Sequence, residues 1–563
     1  MQNVRTRTVT EGSGAASPLR RIEARALMGM VVVFLIFASG CKVGPNYKQP
    51  EIPVDERFMS TDNNRIMGEP ANPREWWKVF NDPVLDSLIE QASQQNLDVQ
   101  AAGLRILESR ITRTAAYYMF APAASLSGSG THKRFSENIE PEVEYKKGGV
   151  AYNNELSKTL SENAKKSVSV KLPEISVKPE MDMYQLGVDA LWELDIWGKN
   201  RRRIESNSAG LAATIADYDD ILVSLTGEVA IAYIEIRTYQ RRLQVARESI
   251  ALLEGVSGTA RKRAEGAAAA RLDSELATAL LRDTQATVPL LELALEQARN
   301  GLCVLLGKTP HDLDSILGAT GAIPAVPSSM KIGAPADLLR RRPDVRLAER
   351  QAAAQCARIG IAKAGLYPSF SLFGGLGWAS SDEHKLIQPD SESSVFGGMF
   401  KWNILLYPLL QNNVRIEDVR FHETMLYYKS AVLRAVKEVE NASVAYDRAQ
   451  DRLPMLASSA EASRNAVTLA NDRYATGSAD FMTLMRSLEY LVRQNDSLTE
   501  AQGQVALAMV ATYKALGGGW EIREGKEVVS EEIKEQMRKE TDWWSLEAPA
   551  MLRTNELMGP AEK

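Results

Sequence analysis

The residue best placed to do chemistry is Cys41. Arg20, Arg21 and Arg25 stand before an apolar run from Ala26 to Phe37, and Ala38-Ser39-Gly40 lead directly into the cysteine. The run holds 12 residues, too short to span a bilayer but the length of a signal-peptide core. Small residues immediately before a cysteine have the pattern of a lipobox, in which the thiol is acylated and the cysteine becomes the mature N-terminus. Residues 1–40 are accordingly read as a signal peptide and Cys41 as the lipidation site. Lys42 follows it. An aspartate there tends to retain a lipoprotein at the inner membrane, so its absence points to the outer one. This covalent lipid is the only added group expected; no cofactor is.

Little else in the chain suggests a reaction. Three cysteines cannot make a disulfide framework, and four scattered histidines imply no metal cluster. Cys303 and Cys356 fall in helical stretches and read as buried small apolar residues. There is no Ser/His/Asp constellation, metal-ligand spacing or phosphate loop, so the chain is not read as an enzyme. Asp98, Asp344 and the run Arg340-Arg341-Arg342 read as helix-cap and solvated charges. The formal charge is −5 over 563 residues, with both signs interspersed, which excludes a nucleic-acid-binding face.

These few groups are mounted on a duplicated helical seam. Leu211, Ile215, Tyr218, Leu222, Leu225, Val229, Ala232 and Ile236 begin a run that reaches Leu253 in alternating steps of four and three. That is the narrow a/d pattern of a coiled coil. An offset of 210 brings it back from Phe421, Met425 and Tyr428 to Ala460, with Ser463 as its polar break. The earlier part of each half repeats at an offset of 246, which takes Asp98 to Asp344, Pro122 to Pro368 and Gly128 to Gly374. The difference is extra length in the first hairpin loop.

The chain therefore divides as follows. Residues 41–83 are a lipidated, extended surface segment ending in Trp76-Trp77-x-x-Phe80-Asn81-Asp82-Pro83, where Asp82-Pro83 is a helix-start signal. Residues 84–307 are the first repeat: one helix from Val84 to about Tyr118, a hairpin with a polar loop at 132–180, a long helix from Arg201 to about Gly255–Gly258, a turn at Arg263-Ala264-Glu265-Gly266, and a return helix kinked at Pro289. Residues 308–335 are a linker, 336–520 the second repeat, and 521–563 a peripheral tail. Within the hairpins, Tyr184, Leu186, Val188, Ala190, Trp192, Leu194 and Ile196 alternate with mostly polar residues. Phe370 to Trp378 and Phe396 to Leu406 alternate in the same way, which predicts half-buried strands. Tyr184, Trp192, Trp402 and Tyr407 are candidates for interfacial aromatic girdles.

Four strands cannot close a membrane barrel alone, and an open edge is not tolerated against lipid. Two chains would give eight strands and a filled interior; three would give twelve and a lumen. The fold class expected is mainly α with β: a trimeric α/β-barrel duct. A twelve-strand transmembrane β-barrel, four strands per chain, is continued by a long coiled-coil-like α-helical barrel.

Several motifs resemble the TolC-like outer-membrane efflux family, in particular its lipoprotein branch serving RND-type multidrug pumps. They are Cys41 with Gly44-Pro45-Asn46-Tyr47, Trp76-Trp77-x-x-Phe80-x-Asp82-Pro83, and Trp192-Glu193-Leu194-Asp195-Ile196-Trp197-Gly198. Asp337-Leu338-Leu339-Arg340-Arg341-Arg342-Pro343-Asp344-Val345 with Ala348-Glu349, and Ile359-Gly360-Ile361-Ala362-Lys363-Ala364 before Tyr367-Pro368, belong to the same set. So do Arg473-Tyr474-x-x-Gly477 and Leu516-Gly517-Gly518-Gly519-Trp520. The resemblance implies a homotrimer in outer-membrane lipid, with its helical part in the periplasm. It would pass drugs or other small toxic compounds delivered by an inner-membrane RND-type transporter and a periplasmic adaptor. The adaptor would dock on the helical tips, here Arg263, Gly266, Arg473, Tyr474 and Gly477, although the first tip lacks the tyrosine. Where the family carries an aspartate lining the closed aperture, this chain has Arg486. Arg486 with Asp480 and Asp273 is thus the candidate aperture gate, the arginine pairing with one of these or another carboxylate across the subunit contact. Exit ducts for protein secretion or metal export share the fold, and a lipid-anchored periplasmic scaffold without a pore is the alternative of a different class.

Overall fold

The computed structural model describes residues 41–62, 65–69, 74–134, 136, 180–266, 270–310, 313–318, 321–336 and 341–541. The predicted signal peptide, most of the 132–180 loop and the end of the tail lie outside them. The elements in chain order are β1 (Ile66–Met67), α1 (Pro83–Gln95), α2 (Leu97–Tyr118), β2 (Ala123–Arg134), β3 (Glu180–Leu194), α3 (Lys199–Glu265) and α4 (Arg271–Leu305). They continue with β4 (Met330–Lys331), α5 (Pro343–Ala364), β5 (Ser369–Ser380), β6 (Glu392–Lys401), α6 (Tyr407–Ala475), α7 (Phe481–Ala515) and α8 (Glu531–Thr541). They form two compact units, one helical and one made of residues 119–196 and 367–404.

In the helical unit the seams are where the periodicity put them. Leu211, Tyr218, Leu222, Leu225, Val229, Ile236, Leu243 and Leu253 of α3 are buried, as are Tyr428, Val432, Ala435, Val439, Tyr446 and Ala460 of α6. Ser463, the polar break, is buried too and donates its hydroxyl to the Ser459 carbonyl at 2.6 Å. The two helices hold 67 and 69 residues, or about 100 Å each, and α3 outruns its expected end. Gly255 and Gly258 do not end α3. The glycines themselves face open space, but Leu253 and Ala260 on either side of them are buried in a cluster with Ala277, Phe481, Leu484 and Leu488, which outweighs a helix cost of about 1 kcal/mol per glycine.

The helix expected over 84–118 is two helices. Asp82 caps α1 as predicted, accepting from the Val84 and Leu85 amides at 3.0 and 3.4 Å, with Pro83 in the first turn. At Asn96 the chain turns extended, and its side-chain oxygen accepts from the Asp98 and Val99 amides at 2.9 and 3.1 Å, starting α2. Asn96 also donates to the Leu305 carbonyl at 3.0 Å, tying this break to the end of α4. Asp98 is therefore a first-turn acid beside the cap and not the cap itself.

The extended segment and the tail, both expected at the surface, are packed in, and so is the linker. Phe58 and Ile66 of the N-terminal segment are buried, and β1 pairs in parallel with β4, so the linker joins a sheet and buries Leu313, Leu317, Met330 and Ile332. The tail begins inside the core, where Arg523 and Val529 are buried. Gly103 of α2 lies so close to the Val528 carbonyl that a Cβ there would stand 2.0 Å from its oxygen. Apolar burial recruited these stretches although they carry no periodic pattern.

In the other unit β2, β3, β5 and β6 form one antiparallel sheet in that order. The register sets Leu126 opposite Val188 and Val188 opposite Leu376, with Leu186 opposite Trp378 and Gly374 opposite Phe396. Those of the alternating apolar residues that lie in the strands, Tyr184 to Leu194, Phe370 to Trp378 and Phe396 to Phe400, thus share one face. The other carries Ser125, Ser127, Ser129, Gln185, Asp189, Gly375 and Gly377, interrupted by Leu191, Phe373, Val395 and Met399. Phe373 stands opposite Gly397, where its ring fills the place of a missing side chain. β2 and β3 extend into the loop expected at 132–180, while β6 stops at Lys401. Trp402, Ile404 and Leu406 consequently lie beyond the strand, and Tyr407 opens α6, so two of the four girdle candidates are not strand residues.

Candidate functional site

The chemistry-bearing residues fall at two places in the helical unit, the anchor and the tips. Cys41 is exposed. Behind it the Lys42 ammonium pairs with Glu205 of α3 at 2.6 Å, and the Val43 amide donates to the Trp197 carbonyl at 3.1 Å. Cys303 and Cys356 are buried as expected, and burial pushes the Cys356 thiol up.

At the tips the two turns have different chemistry. α6 ends in a double-bonded cap, the Gly477 amide donating to the Tyr474 carbonyl at 3.1 Å and the Ser478 amide to Arg473 at 2.8 Å. Gly477 sits at φ +72°, which a side chain would strain. Gly266 donates to the Lys262 carbonyl at 3.1 Å but stays at φ −81°, so the first tip has no need of glycine's freedom. What the first tip supplies is Arg263, whose guanidinium carbon lies 4.8 Å from the centre of the Tyr474 ring. Phe481 flanks the same ring at 5.2 Å. The Tyr474 ring thus packs against a residue of the first turn as well as the start of α7.

Asp480 caps α7, accepting from the Thr483 amide at 3.0 Å and from its hydroxyl. These bonds, with a smaller pull from Arg486, hold its carboxyl below the usual carboxylate range. Arg486 is exposed, and among the described residues no ion pair joins it to Asp480 or Asp273 within the chain. Asp273 lies in the first turn of α4, its own amide donating to Ala270 at 3.0 Å. The three gate candidates are thus near the tips but not joined inside one chain.

The reading of the arginine run as solvated is overturned. Arg342 is buried and holds Asp344 through two bonds of 2.9 Å, Glu438 at 2.6 Å and the Ala515 carbonyl at 2.7 Å, while Arg341 pairs with Glu521 at 2.7 Å. Arg340 lies outside the described residues. Arg342 clamps α5, α6 and the end of α7, and the signal for it was the position, since 342 corresponds to Asn96 in the first repeat.

The model of a protein family described as outer membrane efflux protein matches residues 88–308 and 334–518, most of both repeats. The chain belongs to the outer membrane efflux protein family. It is 28% identical over 498 residues to nodulation protein T of Rhizobium leguminosarum bv. trifolii, covering 86% of this chain and 96% of that protein. To the toluene efflux pump outer membrane protein TtgI of Pseudomonas putida it is 26% identical over 507 residues, covering 87% and 97%. Among solved structures it matches the outer-membrane channel OprN with a TM-score of 0.76 and 29% identity, over 85% of this chain and all of that one. This efflux family protein therefore has the TolC-like channel fold and resides in the outer membrane as the exit duct of an efflux system, which entails an adaptor and an inner-membrane transporter. Members of the family are channels and not enzymes.

Proposed function

We propose that three copies of this chain, each acylated at Cys41, form one exit duct for small toxic compounds, with the adaptor docking on the tips around Arg263, Gly266, Arg473, Tyr474 and Gly477. The observation that carries the reading is the sheet. Its four strands share a face that is apolar from Leu126 through Val188 and Leu376 and turns polar at His132, Asp182, Ser394 and Glu392 toward the hairpin end, yet β2 and β6 remain open edges, and lipid cannot solvate their unpaired amides and carbonyls. Closure with two further copies gives twelve strands and a lumen lined by the Ser-rich face.

A second apolar stripe on α6 supports the same assembly. Leu409, Ile416, Val419, Leu426, Leu433, Val444, Met455 and Leu469 are all exposed in the single chain, spaced by sums of threes and fours on a helix whose own seam is already filled. A neighbouring copy would cover it. In that assembly Arg486 faces carboxylates of the next chain and holds the entrance shut, while Asp480 keeps its role as a cap. One of the named relatives belongs to a toluene efflux pump, and the cargo proposed here is of that broad class of small molecules.

Cross-linking and sedimentation of the acylated protein, followed by planar-bilayer recording, test the reading. A trimer with discrete pores is the expected result. A folded outer-membrane protein that stays monomeric, or a trimer without conductance, overturns it.

A further inference from the structure

Three of the sequence motifs meet at one point that the channel function does not call for. Arg202, four residues after Gly198, is fully buried although it opens a helix on the rim of the unit. Its Nε donates to the Val43 carbonyl at 3.0 Å and its Nη2 to the Gly44 carbonyl at 2.9 Å and the Asn46 side chain at 3.0 Å. Its Nη1 donates to Glu205 at 2.9 Å, the carboxylate that also pairs with Lys42. Every arm of the fork is used, and all but one partner lies within five residues of Cys41.

The surroundings are built to admit this guanidinium. Gly360 of α5 lies against it, and a Cβ there would stand 2.7–2.8 Å from Arg202 Nε, Cδ and Cγ. On the strap side Gly44, at φ +93°, presses its backbone onto Gly360, where a Cβ would stand 2.5 Å from the Gly360 Cα. Gly198 in turn packs on the Lys42 backbone, and the Val43 amide is tied to Trp197. So Gly44-Pro45-Asn46, Trp197-Gly198 and Ile359-Gly360 are the three walls of one clamp. Beyond it the strap continues along α6, where Glu440 accepts from the Met59 and Ser60 amides and Arg65 reaches Asp447 at 3.2 Å.

We infer that Arg202 is the positioning residue of the lipid anchor: it seats residues 42–46 so that the acylated Cys41 leaves the body at one fixed point instead of on a loose tether. The inference rests on the reading of Cys41 as acylated, but the clamp itself does not need the lipid. A buried arginine bonded to backbone carbonyls holds a strand of chain in register, because each bond dictates a position along it and the unpaired charge left by any slip is costly.

The test is timed digestion of the folded, vesicle-inserted protein with a lysine-specific protease, following cleavage after Lys42 and Lys48 against cleavage after Lys262 at the tip. In the wild type the strap sites are cut slowly. In Arg202→Gln cleavage after Lys42 accelerates at least tenfold while the tip rate stays within twofold. Gly44→Val, which unseats the strap with Arg202 in place, reproduces this and decides the matter if Arg202→Gln does not fold. Equal rates in wild type and both variants, or a rise at all sites together, overturn the inference. The mass of the N-terminal peptide read in parallel separates the two claims: protection that depends on Arg202 with an unmodified Cys41 sinks the acylation and keeps the clamp.

Discussion

Asp219 and Arg523 stand 304 residues apart in sequence and form a buried fork pair, Nη2 donating to Oδ2 at 3.0 Å with Nε on the other oxygen. Arg346 adds an ion pair to the same carboxylate at 3.3 Å, and the guanidinium groups of Arg346 and Arg523 both lie over the Trp520 ring. Removing Arg523 leaves a fully buried carboxylate short of its main partner. Arg523→Leu is expected to cost about 3–5 kcal/mol, read as a lowered denaturation midpoint. Asp219→Leu combined with Arg523→Leu should recover most of the loss. A single variant as stable as wild type would show that the tail is not part of the core.

Asp220, the next residue, faces the opposite problem. Burial first, then the Asp344 charge, raise its carboxyl from the usual 3.8 to about 6. The folded chain therefore holds this proton more tightly than the unfolded one. The stabilisation it supplies is present below pH 4 and is lost as the pH rises through about 6. Asp220→Asn should accordingly raise stability at pH 7.5, by up to about 3 kcal/mol, and leave it nearly unchanged at pH 4. Thermal unfolding at the two pH values measures the difference.

In the proposed barrel the register of the sheet separates lipid from water residue by residue. Val188 lies on the apolar face and Ser127 on the polar one. Val188→Arg is expected to impair folding into vesicles by about 2–4 kcal/mol, while Ser127→Arg folds normally and changes only conductance. Equal effects at both positions would mean that the faces are assigned the wrong way round or that neither meets lipid.

Arg486 is exposed and unpaired with any carboxylate among the described residues of its own chain. In the proposed trimer Arg486→Ala loosens the entrance, raising single-channel conductance several-fold and sensitising cells to compounds that do not otherwise enter. Unchanged conductance and unchanged leakage would remove the gate assignment.

How much of this was legible follows from how far each cause lies along the chain. The seams, the duplication and the sheet face were readable because period and offset are local repeats, and a buried face forces them. The break at Asn96 was not, since its reason includes the Leu305 carbonyl more than two hundred residues away. Gly255 and Gly258 misled for the same cause: helix α3 continues because α7 packs across it there. Arg202, Arg342 and Arg523 look like surface charges in a sequence, and only the fold reveals that each has been given carbonyls or carboxylates to hold. A faint sign existed for two of them, the glycines at 44 and 360 and the repeat equivalence of 96 and 342.

The two copies of the seam have ended in different company. α3 is enclosed by α2, α4, α5 and α7 of its own chain and buries residues all round, Ala213, Ala216, Val223, Ala230 and Ile234 among them. α6 keeps one filled side and one bare one. The first seam is thus closed only once helices of both repeats have packed on it, while in the proposed trimer the bare side of α6 is left for a neighbouring copy. In that proposed assembly the duplication gives one copy of the seam to the interior of the subunit and the outer side of the other to the contact between subunits.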